Sequence, residues 1–129
     1  MLINLFNFMK NIILDTSFIL TALKFHIDIK LELKNIIDET FLIFYIDKTL
    51  KELENKPLEK LAKGILENMN AKAIKTSSDG NVDSLLIAHS IKNSKDIIAT
   101  QDKVLKEKLK KRNITLITIR QKKHLKLIK

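Results

Sequence analysis

The chain has no cysteine and very little glycine or proline, with two glycines and one proline among its 129 residues. The lack of cysteine excludes both a disulfide framework and a thiolate metal site, so the fold must be stabilised by packing alone. The scarcity of glycine and proline argues against flexible linkers between domains. With 45% hydrophobic residues, a chain of this length can bury one core. We therefore expect a single domain over residues 1–129.

The chain also lacks a long hydrophobic run. Its apolar N-terminal stretch, MLINLFNFMK, is much shorter than the ~20 residues of a membrane span. It has neither the basic start nor the small-residue cleavage site of a secretory signal. We therefore expect a cytoplasmic protein with no membrane partner. Because Met9 followed by KNIILDTS resembles a natural start, residues 1–9 are a candidate N-terminal extension.

Positive charge is concentrated at the C-terminal end of the chain. Residues 103–129 contain eleven Lys or Arg and a single acid, Glu107, whereas the preceding 102 residues have a net charge of −1. A one-sided cationic surface is typical of proteins that bind the phosphate backbone of nucleic acids, although a solvated Lys-rich face or a membrane-surface patch has the same composition. The candidate RNA-binding residues in this basic C-terminal part are Lys106, Lys110, Lys111, Arg112, Arg120, Lys122 and Lys123.

Short β-branched runs alternate with longer helical patterns along the whole chain. The sequence predicts strands over residues 11–15, 43–46, 71–75, 97–100 and 115–119. Helices are predicted over residues 17–23, 31–39, 47–55, 57–69, 82–92 and 101–112. Such alternation indicates an α/β fold in which a parallel sheet is covered by helices on both faces, giving three layers. In such a sheet the functional site lies at the carboxyl ends of the strands.

Four acids are predicted to lie at or near that edge. Asp15 ends the first strand, Asp102 follows the fourth strand, Asp83 stands in the first turn of the preceding helix, and Glu52 is in the short helix after the second strand. Each has a structural alternative: Asp15 and Asp102 could cap helices, Asp83 could interact with a helix dipole, and Glu52 could pair with Lys48.

Four carboxylates in one place would repel one another unless a cation were bound between them. Oxygen ligands without His or Cys favour Mg²⁺ or Mn²⁺ over Zn²⁺. The combination of the acids therefore predicts a binding site for Mg²⁺ or Mn²⁺.

The segments ILDTSFIL, KELEN, NVDSLLIAHS and IIATQDKVL resemble the successive acidic motifs of the PIN-domain nucleases. The resemblance extends over residues 10–127. Two further segments, FHIDIKLEL and ITLITIRQKKHLKL, are similar to one branch of that family. This branch comprises archaeal rRNA-processing PIN proteins related to the eukaryotic small-subunit processome endonuclease.

The resemblance implies a three-layer α/β/α fold with a five-stranded parallel sheet in the order 3-2-1-4-5. It also implies a metal-dependent endoribonuclease, in which Asp15, Glu52, Asp83 and Asp102 are the catalytic metal ligands. Ser17 and Thr100 are suggested as polar neighbours of these acids. The implied partners are RNA, with pre-rRNA expected, together with ribosome-assembly proteins and a second copy of the chain in a homodimer.

One position departs from the family pattern, because many relatives have two consecutive acids where this chain has Asp83 followed by Ser84. Asp79 could supply the missing carboxylate, although an Asp beside Gly80 is more often a turn residue. Two alternatives to rRNA processing stay open. One is a VapC-like toxin ribonuclease, against which the basic tail argues, and the other is a PIN-like RNA-binding scaffold that does not cleave.

Overall fold

The structure is a computed structural model that describes residues 9–77 and 79–129, so all of the candidate N-terminal extension except Met9 lies outside the described residues. The strands are β1 (Lys10–Leu14), β2 (Phe41–Ile46), β3 (Lys72–Ile74), β4 (Ile97–Ala99), β5 (Leu116–Arg120) and β6 (His124–Ile128). The helices are α1 (Thr16–Lys24), α2 (Ile29–Ile36), α3 (Lys48–Leu53), α4 (Glu59–Asn68), α5 (Val82–Lys92) and α6 (Lys103–Lys110).

The strands form one sheet in the order β3-β2-β1-β4-β5-β6, and every neighbouring pair is parallel except β5 and β6. Alternate side chains of the central strand β1 enter two separate cores. Ile12 and Leu14 pack in one cluster with Phe18 of α1, whereas Ile13 packs in the other with Leu86 of α5. Both faces of the sheet are therefore buried, which explains the continuous apolar run of β1.

The predicted three-layer α/β/α fold and the strand order 3-2-1-4-5 are confirmed, and a sixth strand is added. Residues 124–128, predicted only as a basic tail, pair antiparallel with β5. Gln121 and Lys122 make the connecting turn at φ values of 55° and 59°. Because left-handed turn residues are usually Gly or Asn, this turn is hard to recognise in the sequence. The alternating pattern HLKLI was the available signal in the sequence, and Leu125 of this strand is buried in the structure.

The helix and strand bounds differ from the predicted ones by a few residues, as expected for ends defined by local caps. The predicted helix over residues 101–112 begins at Lys103, because Asp102 is its N-cap. The weak third strand is shortened to residues 72–74. Across residues 9–77 and 79–129, no helix combines the length and the apolar character needed to cross a membrane.

Candidate active site

The candidate site lies between the carboxyl ends of β1 and β4, in the middle of the sheet. These two strands are adjacent and parallel, and the amide of Asp15 donates to the carbonyl of Ala99 at 2.9 Å. The chain leaves β1 through α1 on one face, whereas α5 and α6, which flank β4, pack on the other. The strand order therefore reverses between β1 and β4, and such a reversal opens a crevice in which ligands bind.

Asp15 occupies the floor of this crevice. Only 2% of its surface is exposed, and its Oδ2 accepts hydrogen bonds from Ser17 Oγ at 2.6 Å and from Thr100 Oγ1 at 2.7 Å. It stands at the N-cap position of α1, but its side chain makes no capping hydrogen bond. Burial raises the pKa of Asp15, while the bonds from Ser17 and Thr100 oppose that rise. The two hydroxyls thus fix the orientation of a desolvated carboxyl group, and both bind the same oxygen.

The same two hydroxyls connect Asp15 to the loop after β4. Thr100 Oγ1 accepts from the amide of Asp102 at 3.1 Å, and Ser17 Oγ accepts from the amide of Gln101 at 3.2 Å. Each hydroxyl therefore receives a backbone hydrogen bond and donates to the carboxylate. This arrangement couples the position of Asp102 to that of Asp15.

Gln101 supports this loop from the other side and was not singled out from the sequence. Its Oε1 accepts hydrogen bonds from the amide of Ile119 at 2.6 Å and from Thr118 Oγ1 at 2.8 Å. Both partners belong to β5, so Gln101 connects the β4–α6 loop to the next strand. The only signal in the sequence was a long polar side chain between a strand end and a helix cap.

Asp102 and Asp83 form the wall of the crevice on the side of α5 and α6. Asp102 caps α6, since its Oδ1 accepts from the amide of Leu105 at 3.0 Å. Asp83, in the first turn of α5, has its pKa raised to about 6 by burial, by the charges of Asp15 and Asp102, by a hydrogen bond to Asp102 and by Glu52. The structure therefore places the other three predicted acids within electrostatic reach of Asp83.

Glu52 approaches from the opposite side, where it lines a cleft of about 470 Å³. The other residues lining this cleft, which we call the α3 cleft, are Lys48, Lys51, Asp79, Gly80 and Asn81. Lys48 Nζ lies 3.8 Å from Asp47 Oδ2, and the alternative pairing of Lys48 with Glu52 is not found among the ion pairs of the described residues.

Ser84, which stands where many relatives have a second acid, helps to cap α5. Its amide donates to Asn81 Oδ1 at 2.9 Å and its Oγ donates to the carbonyl of Asn81 at 3.0 Å. A Cβ atom at Gly80 would lie 2.7 Å from Ser84 Oγ, so glycine allows the preceding loop to approach the start of α5 closely. Ser84 therefore fixes the first turn of α5, which carries Asp83.

The predicted RNA-binding residues do not form one surface. Lys106 of α6 lies near Arg120, and its pKa is lowered first by burial and then by the charges of Arg120, Lys110 and Lys103. Arg120 ends β5 at the same edge of the sheet as the acids. Lys111 and Arg112 follow the C-terminus of α6, which runs back along β4, so they lie toward the opposite edge.

Lys122 and Lys123 belong to the turn between β5 and β6, next to Arg120. Lys122 Nζ lies 5.5 Å from the centre of the Phe25 ring, after α1. In the same region His124 Nδ1 lies 3.9 Å from Glu32 Oε1 of α2, and Leu125 shares a core cluster with Ile29. The two segments that resembled one branch of the family in sequence therefore contact each other.

The donors in the crevice are carboxylate and hydroxyl oxygens, which suit Mg²⁺ or Mn²⁺ better than Zn²⁺. Within the described part of the chain, no three His, Cys, Asp or Glu side chains are arranged closely enough to hold one ion. Mg²⁺ commonly uses only one or two carboxylates and completes its shell with water and substrate phosphate. The residues therefore fit an ion that is held by few protein ligands.

Comparison with known proteins agrees with this architecture. The family model described as "PIN like domain" matches residues 12–122. The chain is similar to ribonuclease VapC4 of Methanocaldococcus jannaschii, with 30% identity over 124 residues that cover 90% of this chain and 95% of the relative. Its fold is similar to that of the PIN domain endonuclease Utp24, with a TM-score of 0.81, 21% identity and coverage of 91% and 90% of the two chains. The family match extends over most of the chain, which therefore belongs to the PIN-like domain family.

Proposed function

We propose that this protein is an endoribonuclease that uses Mg²⁺ or Mn²⁺ to hydrolyse RNA. The observation that carries the proposal is the crevice between β1 and β4, where burial, together with the charges of Asp15, Asp102 and Glu52, raises the pKa of Asp83 to about 6. Such mutual repulsion is costly unless a cation binds. Two similar proteins support a nuclease, since one is named a ribonuclease and the other an endonuclease, and the first of these names supports RNA as the substrate.

Within this proposal, Asp15 and Asp83 would be the principal ligands, and Glu52 and Asp102 would bind the ion directly or through water. When bound, the ion supplies a water of lowered pKa and neutralises charge on the phosphate group. Asp15 offers a carboxylate whose orientation is fixed by Ser17 and Thr100. Since burial and neighbouring carboxylates raise the pKa of Asp83 to about 6, protons would compete with the ion for this carboxylate in mildly acidic solution. No side-chain nucleophile is required.

Acidic side chains repel the RNA that they are proposed to cut, so cations must hold the phosphates on either side. Lys106 and Arg120 are the best placed of the predicted RNA-binding residues, with Lys122 and Lys123 in the adjacent turn. When Lys and Arg side chains contact phosphates, they bind RNA but do not distinguish one base sequence from another. We therefore expect any preference of the enzyme for particular RNA sequences to come from residues other than these cations.

For the biological role we propose processing of ribosomal RNA in small-subunit biogenesis, within the archaeal rRNA-processing branch. The contacts between the β5–β6 turn and the Phe25 region support this role, because these segments carry the resemblance to that branch. Pre-rRNA, ribosome-assembly proteins and a second copy of the chain are the partners to test. Depletion of the protein should then cause an uncleaved rRNA precursor to accumulate.

A VapC-like toxin ribonuclease is the second candidate, and the 30% identity to ribonuclease VapC4 specifically favours it. A toxin should arrest growth when it is expressed alone, and the arrest should require Asp15. Growth arrest without any change in rRNA precursors would replace the first role by the second.

The nuclease activity itself is tested with purified protein and single-stranded RNA in the presence of Mn²⁺ or Mg²⁺. We expect cleavage that a chelator stops and that Asp15→Asn or Asp83→Asn lowers by more than ~100-fold, because loss of a metal ligand should exceed the 10- to 100-fold effect of losing a supporting partner. Asp38→Asn, an exposed acid after α2, is the matched control and should cleave normally. Unchanged cleavage in both site variants would disprove the site, and no cleavage with either ion would indicate a non-cleaving scaffold.

A further inference from the structure

The acidic crevice has basic side chains on both sides, although the sequence drew attention to only one. Lys106 and Arg120 lie on the β4–β5 side of the acids. On the β2 side, α3 follows that strand and contributes Lys48 and Lys51 to the α3 cleft. Since β1 lies between β2 and β4 in the sheet, Asp15 stands between these two pairs of basic side chains.

The two lysines of the α3 cleft make few interactions that stabilise the fold. The only ion pair of Lys48 in the described part of the chain is with Asp47 at 3.8 Å. Asp47 already accepts two hydrogen bonds from Thr76, at 2.6 Å and 3.0 Å, which lower its pKa. Lys51 is exposed and makes no ion pair with the described residues. Both lysines are therefore available to an anionic ligand.

The α3 cleft is large enough for one nucleotide. Its volume of about 470 Å³ falls within the range of roughly 300–1,000 Å³ typical of small-ligand sites. Asn81 lines the cleft and uses Oδ1 to cap α5, so its Nδ2 is not used by the cap. Glu52 connects the cleft to the crevice, because its charge acts on both Asp15 and Asp83.

We propose that the α3 cleft binds the RNA nucleotide next to the cleaved phosphodiester, on the side away from Lys106 and Arg120. Lys48 and Lys51 bind its phosphate, and the amide of Asn81 donates to its sugar or base. A single strand would then cross the sheet edge from α3 to the end of β5, with phosphates held on both sides of the acids. This inference rests on the proposed function and assigns a specific part of the substrate to the α3 cleft.

The test compares two pairs of lysines in an Asp15→Asn background, which keeps the RNA intact. Lys48→Gln with Lys51→Gln removes the α3 pair. Lys60→Gln with Lys63→Gln on α4 is the matched control, since Lys63 is in an ion pair with Glu59 and Lys60 is exposed. The affinity for a labelled single-stranded RNA is measured over a range of salt concentrations.

We expect the α3 pair to weaken binding by about tenfold and to reduce the salt slope by ~0.7 for each phosphate that the lysines no longer neutralise, with a much smaller effect of the control pair. Equal effects of the two pairs would show that only overall charge matters and would overturn the subsite. If the wild-type chain cleaves RNA in an Asp15-dependent way but the two double variants lose RNA affinity equally, the proposed nucleotide subsite is wrong and the proposed nuclease function still holds. If the wild-type chain neither binds nor cleaves RNA, both proposals fail.

A second measurement identifies the nucleotide. RNAs shortened from one end or the other, up to the mapped cleavage position, are compared in the wild-type chain and in the α3 pair variant. Removal of the nucleotide in the α3 cleft should slow cleavage by the wild-type chain but have little further effect on the variant. If every shortened RNA affects the two proteins by the same factor, the α3 cleft does not bind that nucleotide.

Discussion

The two principal acids of the crevice are held in opposite ways. Asp15 lies at the end of a central strand, is almost fully buried and accepts hydrogen bonds from two hydroxyls. Asp83 lies in the first turn of a helix, is partly exposed, and has its pKa raised to about 6 by burial and by neighbouring carboxylates. Hydrogen bonds within the protein offset part of the desolvation of Asp15, whereas the charge of Asp83 is left for a cation to balance. We therefore expect the loss of a hydrogen-bond donor to Asp15 to lower the stability of the fold, and the loss of the Asp83 charge to change how the stability responds to the metal.

Removing one of the two hydroxyl groups that donate to Asp15 should have the largest effect on stability. Thr100→Val keeps the shape of the side chain but removes a donor to a buried carboxylate, so we expect a loss of ~1–3 kcal/mol in the free energy of unfolding. Urea denaturation in the presence of a chelator measures it. Thr40→Val, at an exposed position before β2, is the control and should change stability by less than ~0.5 kcal/mol. Equal stability of both variants would show that Asp15 does not depend on this hydroxyl.

Neutralising Asp83 should have the opposite effect and should stabilise the fold. Asp83→Asn removes a charge that its neighbours repel, so we expect the chelated protein to melt ~3 °C higher at neutral pH, a modest value because the group is partly exposed to solvent. Mn²⁺ should raise the melting temperature of the wild-type chain but not that of the variant. A lower melting temperature for the variant would mean that Asp83 stabilises the fold, contrary to the comparison with Asp15.

The pH dependence sharpens the same contrast. The pKa of Asp83 is about 6 in the folded chain, above its ordinary value of 3.8, so its protonation stabilises the folded state at low pH and this stabilisation is lost as the pH rises through about 6. The difference in melting temperature between Asp83→Asn and the chelated wild-type chain should therefore grow from pH 5 to pH 7. A difference that is constant over this range would exclude repulsion of the Asp83 charge as its cause.

The sequence predicted the acids better than their surroundings, and the reason is geometric. Asp15 and Asp102 follow strands, so the topology of a parallel sheet alone brings them to one edge. The connection of Gln101 to β5 depends on contacts between residues far apart in the chain, which no local pattern contains. Residues 124–128 were missed as a strand because their turn lacks glycine and asparagine.

The basic C-terminal part shows the same limit of local patterns. Eleven cationic residues in residues 103–129 suggested one surface, but they are distributed over α6, the loop after it, β5, β6 and the turn between these two strands. Arg120 ends up beside the acids and Arg112 near the opposite edge. Arg112 and Arg120 are only eight residues apart in the sequence, but strand β5 separates them in the structure.

This separation leads to the smallest effect that we predict, with two exposed arginines as a matched pair. Arg120→Gln should reduce kcat/KM for RNA cleavage by about three- to tenfold, because it removes a phosphate contact near the acids, whereas Arg112→Gln should change it by less than about twofold. Initial cleavage rates at low RNA concentration measure both. Equal losses would mean that the bound RNA extends across the sheet to the far end of α6, and the RNA path proposed along the acidic edge would then have to be redrawn.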